Sequence, residues 1–102
     1  MEVRSAQTEN NMTVALIGEL DHHAAREALQ RLEHALDAGM PMHLALDFSR
    51  VTFMDSSGIA VVLRAYRRMA EQGGTLKLRS VSPQAKKVFH AAGLDRTVAM
   101  EE

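Results

Sequence analysis

The sequence has no cysteine, which excludes disulfides, thiolate catalysis and cysteine-ligated zinc together. Aromatic side chains are few: Phe48, Phe53, Tyr66 and Phe89 are the whole set. A core must therefore rest on Leu, Val, Ile, Ala and Met. No apolar run is long enough to span a bilayer, and the opening residues MEVRSAQTEN hold no apolar signal core. The expected compartment is the cytoplasm, with no membrane partner. Charge of one sign is also lacking. Twelve basic and thirteen acidic residues leave a net charge of −1, which argues against direct nucleic-acid binding, where a basic surplus is the usual mark. There is no internal repeat, low-complexity tract or linker-like stretch.

What is present fits one domain over residues 1–102. A hydrophobic fraction of 46% with 25% charged residues excludes disordered and fibrous classes. Val3 to Gln7 and Met12 to Ile17 read as two short strands, with Asn10-Asn11 suited to the tight turn of a hairpin. From residue 22 to 38 the apolar side chains Ala25, Ala28, Leu29, Leu32, Ala35 and Leu36 share one helical face. Asp21 is placed to cap that helix, Gly39 suits its left-handed C-terminal position, and Pro41 follows as a stop. His43 to Phe48 reads as a strand, with Leu44, Leu46 and Phe48 on one side. Ser57 to Glu71 reads as a second helix, with an apolar stripe of Ile59, Val62, Leu63, Tyr66 and Ala70 opposite Arg64, Arg67 and Arg68. Gly73 ends it. Leu76 and Leu78 alternate with Lys77 and Arg79 in a further strand. Pro83 opens a third helix, Gln84 to Ala92, which Gly93 closes. Thr97 to Ala99 completes the set as a short strand.

The order β-β-α-β-α-β-α-β predicts an α/β domain with a mixed, mostly parallel sheet of about five strands. Lys77 and Arg79 leave one sheet face wet, so the helices are expected mainly on the other. Strand order does not follow from this pattern.

Chemistry concentrates at Phe53-Met54-Asp55-Ser56-Ser57-Gly58, where the second helix begins. Asp55 or Ser56 can cap the helix, but only one of them can hold that position; the other then faces solvent or a partner. Gly58, having no Cβ, admits a close neighbour at the first turn. On spacing alone, Asp-Ser-Ser-Gly reads first as a capping sequence. A phosphoryl group placed there would meet the positive end of the helix dipole and unpaired N–H groups, and would bring a charge of about −1.5 to −2. The helix could hold that charge, whereas a partner packed on the same spot would be repelled.

The stretch Phe53-Met54-Asp55-Ser56-Ser57-Gly58-Ile59 resembles the signature of the STAS domain in bacterial anti-sigma factor antagonists. Gly18-Glu19-Leu20-Asp21-His22-His23 is similar to the matching segment of the family's sporulation branch, the anti-sigma F factor antagonists. Ser82-Pro83, Val88-Phe89 and Ala92-Gly93-Leu94 are similar to the family's third helix. The likeness runs from about Met12 to Met100. It implies a binding protein rather than an enzyme, with no cofactor of its own. It implies phosphorylation on Ser56, the first serine after the aspartate, and a partner surface of Asp21, His22, His23, Asp55, Ser56, Ser57 and Gly58. The implied partners are an anti-sigma factor that is also a serine kinase of the histidine-kinase-like ATPase fold, and a PP2C-type serine phosphatase. ATP belongs to the kinase. The likeness to the sporulation branch favours a sporulation sigma factor and leaves general stress response open. Members of the family often continue into a further helix after the last strand, whereas this sequence runs to Glu102.

Other readings of the same residues are weaker. Asp21-His22-His23 makes a poor metal site, because adjacent histidines do not chelate one ion easily and a helix site prefers an i, i+4 pair. A serine hydrolase, with Ser56 or Ser57 as nucleophile and His22 or His23 as base, lacks the G-x-S-x-G elbow and a Gly-rich oxyanion loop. A STAS scaffold or sensor without phosphorylation would use Asp-Ser-Ser-Gly only as a cap. Arg64, Arg67, Arg68, Lys86 and Lys87 read as a solvated outer surface. Met40, Met42 and Met54 read as packing side chains.

Overall fold

The computed structural model describes residues 1–101. Its elements are β1 (Glu2–Thr8), β2 (Asn11–Leu20), α1 (His22–Gly39), β3 (His43–Met54), α2 (Ser57–Glu71), β4 (Thr75–Arg79), α3 (Pro83–Ala91), a 3-10 turn (Leu94–Arg96) and β5 (Ala99–Glu101). The expected order holds. The strands lie side by side in the sequence order β1-β2-β3-β4-β5. Only β1 and β2 are antiparallel; every later pair is parallel. Each parallel strand must return to the same sheet edge, so α1, α2 and α3 all start just past the carboxyl ends of β2, β3 and β4.

The core lies between the sheet and the helices. Val14 and Leu16 of β2, Leu44, Leu46 and Phe48 of β3 and Leu78 of β4 meet Ala28, Leu32 and Leu36 of α1, Val61, Val62, Ala65 and Met69 of α2, and Phe89 of α3. With only four aromatic residues in the chain, two are spent here. Phe48 and Phe89 meet edge to face, centroids 5.6 Å apart and planes at 90°, the arrangement favoured by the ring quadrupole. No polar or charged residue is buried among the described residues. Nor is any described helix long and apolar enough to cross a membrane.

Several local expectations are corrected. The hairpin turn is Glu9-Asn10, with Asn11 already paired to Thr8 and the positive φ of 55° on Glu9. Gly39 stays helical, and Met40 takes the left-handed position at φ 43°, its N–H donating to Leu36 O. The glycine serves close approach instead. Gln7 donates Nε2 to Gly39 O at 2.8 Å, and a Cβ on Gly39 would lie 2.2 Å from Gln7 Oε1.

Strand β3 does not end at Phe48. It runs on to Met54 because Ile17 to Leu20 of β2 pair with Arg50 to Met54, and pairing with a distant strand overrides the polar look of Ser49-Arg50. The last strand is Ala99–Glu101 rather than Thr97 to Ala99, the 3-10 turn having used the preceding residues. Met54 is fully buried, but Met40 and Met42 flank Pro41 at 58% and 37% exposure and fill no gap.

On α2 the buried set is Gly58, Val61, Val62, Ala65 and Met69. This is the expected stripe moved back by one residue, a rotation of about 100°. Ile59 and Leu63 pack at its margin, and Tyr66 faces solvent. The small side chains let the helix approach the sheet closely, which a count of apolar residues does not register. Arg64 and Arg68 reach α1, pairing with Glu33 at 2.9 Å and Asp37 at 2.5 Å.

Candidate functional site

The turn from Met54 to Gly58 joins β3 to α2 at the carboxyl edge of the parallel strands, where α/β sheets commonly present their binding residues. Asp55 and Ser56 divide the capping role. Asp55 Oδ1 accepts the Ser57 N–H at 2.8 Å, and Asp55 donates its own N–H to Leu20 O at 3.3 Å. Ser56 occupies the position before the helix with helical backbone angles, φ −63° and ψ −15°, and its side chain makes no capping hydrogen bond. Ser56 is exposed, Asp55 and Ser57 are half-buried and Gly58 is buried. The choice left open by spacing thus falls on Asp55 as the cap and on Ser56 as the outward hydroxyl.

Gly58 acts from beneath. A Cβ there would lie 2.5 Å from Met54 Sδ, 2.6 Å from Met54 Cγ and 3.1 Å from Leu20 Cδ2. The close neighbour that glycine admits is the protein's own core, not an incoming partner.

The Asp21-His22-His23 segment starts α1 beside this turn. Asp21 caps the helix, its Oδ1 accepting the Ala24 N–H at 2.9 Å. That bond, helped by the charge of the neighbouring His23, holds the Asp21 carboxyl below its ordinary range. His22 and His23 are exposed. Together with Arg26, Ser57 and Ala60 they line an open groove of about 520 Å³ between α1 and α2, with Ala25 and Leu29 also on its wall. The structure therefore brings His22, His23 and Ser57 to one groove, with Ser56 on the adjoining turn, while Asp21 lies with Glu19 and Glu27 in a neighbouring depression that His23 also lines. Among the described residues, neither histidine is hydrogen-bonded to a serine hydroxyl of the turn, the contact a hydrolase needs between base and nucleophile. No group of three or more metal-ligating side chains gathers among the described residues.

Three residues at the site went unassigned in the sequence. Arg26 follows from helical spacing, one turn after His22 and His23. Phe53, 46% exposed, is an aromatic ring on the surface three residues before Ser56. Gln84, at the start of α3, contacts the Met54 backbone, and no local pattern announces it.

A five-stranded mixed sheet in sequential order, backed by three helices, is the architecture of a STAS domain. The chain belongs to that family: the family model described as "Mlab, STAS domain" matches residues 3–101. It is similar to the anti-sigma F factor antagonist of Lysinibacillus sphaericus, 33% identical over 87 residues that cover 85% of this chain and 74% of that protein. It is also similar to the anti-sigma-B factor antagonist of Bacillus subtilis, 31% identical over 88 residues, 86% of this chain and 79% of the relative. Among solved structures, the anti-sigma factor antagonist SpoIIAA in its unphosphorylated form matches with a TM-score of 0.82 at 31% identity, covering 97% of this chain and 87% of the other. The phosphorylated form of SpoIIAA, described as a Bacillus cell fate determinant, matches at 0.74 with the same identity, covering 97% and 90%.

Proposed function

We propose that this chain is an anti-sigma factor antagonist controlled by phosphorylation of Ser56. With Ser56 free, it binds an anti-sigma factor and so liberates a sigma factor. The anti-sigma factor is also a serine kinase of the histidine-kinase-like ATPase fold; it phosphorylates Ser56 and thereby releases the antagonist. A PP2C-type phosphatase removes the phosphate. The chain acts in the cytoplasm and catalyses nothing itself.

The observation that carries this reading is the Ser56 hydroxyl, exposed at the electropositive start of α2 and excused from capping by Asp55. A phosphoryl group there adds roughly two negative charges where the helix tolerates them. The same charge would sit within a docked interface, with Asp55 adding repulsion. Similarity to a protein solved both with and without its phosphate supports the reading.

The test is incubation of the pure chain with ATP and kinases of the sigma-F and sigma-B systems, followed by peptide mapping. Phosphate on Ser56 and a loss of kinase affinity after stoichiometric modification are expected. Equal affinity before and after modification would refute the switch. Absence of phosphotransfer from every cognate kinase would leave a STAS scaffold or sensor.

A further inference from the structure

The turn carrying Ser56 is held from a side where the sheet offers no strand. Pairing of β3 with β4 ends at Asp47 opposite Arg79. Among the described residues, the rest of β3, through Met54, therefore has a strand neighbour only in β2. Pairing with β2 is itself irregular there, with register shifts between Ala15 and Ile17 and between Gly18 and Glu19. Asp55 directs its N–H to β2, at Leu20 O. Met54, one residue earlier, directs its N–H and C=O the opposite way, where a further strand would lie.

Gln84, in the first turn of α3, fills that place. Its Oε1 accepts the Met54 N–H at 3.0 Å, and its Nε2 donates to Met54 O at 2.6 Å. A primary amide carries one acceptor and a donor in the arrangement of a peptide group, so the side chain substitutes for a strand at one rung. Only one orientation of the amide satisfies both bonds. Its helix is firmly seated: Ser82 caps α3 by accepting the Ala85 N–H at 3.1 Å, and Ala85 and Phe89 are buried. With Met54 tied to Gln84, Asp55 to Leu20 and Ser57 to Asp55, the turn is fixed on both sides of Ser56.

We propose that Gln84 is a positioning residue for the switch, closing the unfinished ladder at Met54 so that the Ser56 hydroxyl is presented in one geometry. The inference rests on the reading of Ser56 given above. A serine held in line for phosphoryl transfer gains rate from orientation rather than from added affinity, so Gln84 acts on kcat.

The experiment compares the full chain with Gln84→Ala and Gln84→Glu, measuring Met54 amide exchange by NMR, thermal stability, and kcat and KM for Ser56 phosphorylation. Gln84 is exposed and lies outside the core, so the fold is expected to survive. Gln84→Ala is expected to speed Met54 exchange about tenfold while Leu46 is unchanged, and to lower kcat about tenfold with KM within about twofold. Gln84→Glu at neutral pH sets a carboxylate oxygen against Met54 O in place of the donor, so it should be impaired at least as much as Gln84→Ala. Unchanged kcat in Gln84→Ala, with or without a lower melting temperature, overturns the positioning role. If the unsubstituted chain takes no phosphate on Ser56, the functional reading fails instead, and unchanged Met54 exchange would separately overturn the tie.

Discussion

At the scale of single residues, Asp55 and Ser56 are chemically interchangeable as caps, and their different roles come from backbone placement. The Asp55 N–H is committed to Leu20 O, which aims its carboxylate at the Ser57 N–H and leaves the Ser56 hydroxyl outside. Ser56→Ala is therefore expected to abolish phosphorylation while keeping affinity for the anti-sigma factor, checked by phosphotransfer and titration calorimetry on the same preparation. Ser56→Asp should weaken binding only in part, because a carboxylate carries one charge where a phosphate carries about −1.5 to −2. Asp55→Ala orphans the Ser57 N–H and is expected to cost about 1 kcal/mol of stability; an unshifted urea midpoint would contradict that capping role. Spacing named both residues and left the capping choice open, since the deciding bond comes from β2, more than thirty positions away.

At the scale of elements, helix ends were easier to read than helix faces. Ser57 and Glu71 bound α2 as the capping and glycine signals imply, but its buried stripe is turned by one residue. Apolarity alone favoured Tyr66 and Ala70, whereas packing selected Gly58 and Ala65 for their small size. This difference is measurable. Gly58→Ala places a methyl group against the fully buried Met54 and is expected to destabilise the fold by about 1–3 kcal/mol. That corresponds to a fall in melting temperature of about 4–8 °C per kcal/mol, read by calorimetry. The shift of Met54 should also disturb the Gln84 contact. The length of β3 was misread for a related reason: Ser49 and Arg50 are exposed and polar, yet their backbone groups lie within a strand that the pairing with β2 extends.

At the scale of the whole molecule, the surface ion pairs give stability two pH windows of opposite sign. Asp21 is held low by the Ala24 N–H and then by His23; Asp95 by its hydrogen bond to His90 and then by that ring's charge; Glu101 by its hydrogen bond to Lys77, by the charge of Lys77 and by Arg79. A depressed carboxyl contributes fully above its unfolded value, about 4, and its contribution disappears as pH falls through the lower folded value. His90 is raised by its hydrogen bond to Asp95 and by that charge. Its contribution is complete below about 6.5 and is lost as pH rises through the higher folded value. The melting temperature is expected to climb through the acid range and then to step down slightly as pH rises past about 6.5. His90→Gln should remove that step and leave the limb due to Asp21 and Glu101; a step that persists in the variant would show that another group causes it.

The sequence by itself determined the element order, the Asp21 cap of α1, the split between strand and helix periodicities, and the segment that holds the candidate site. All of these depend on residues within one or two turns of each other. Tertiary structure alone decided the sequential strand order, the reach of β3, the face α2 buries, the division of labour between Asp55 and Ser56, and the amide of Gln84 on the Met54 backbone. Each of those depends on which peptide groups and which volumes remain unfilled once distant segments meet, and hydrogen bonds and close packing are completed by whatever side chain the fold brings within reach.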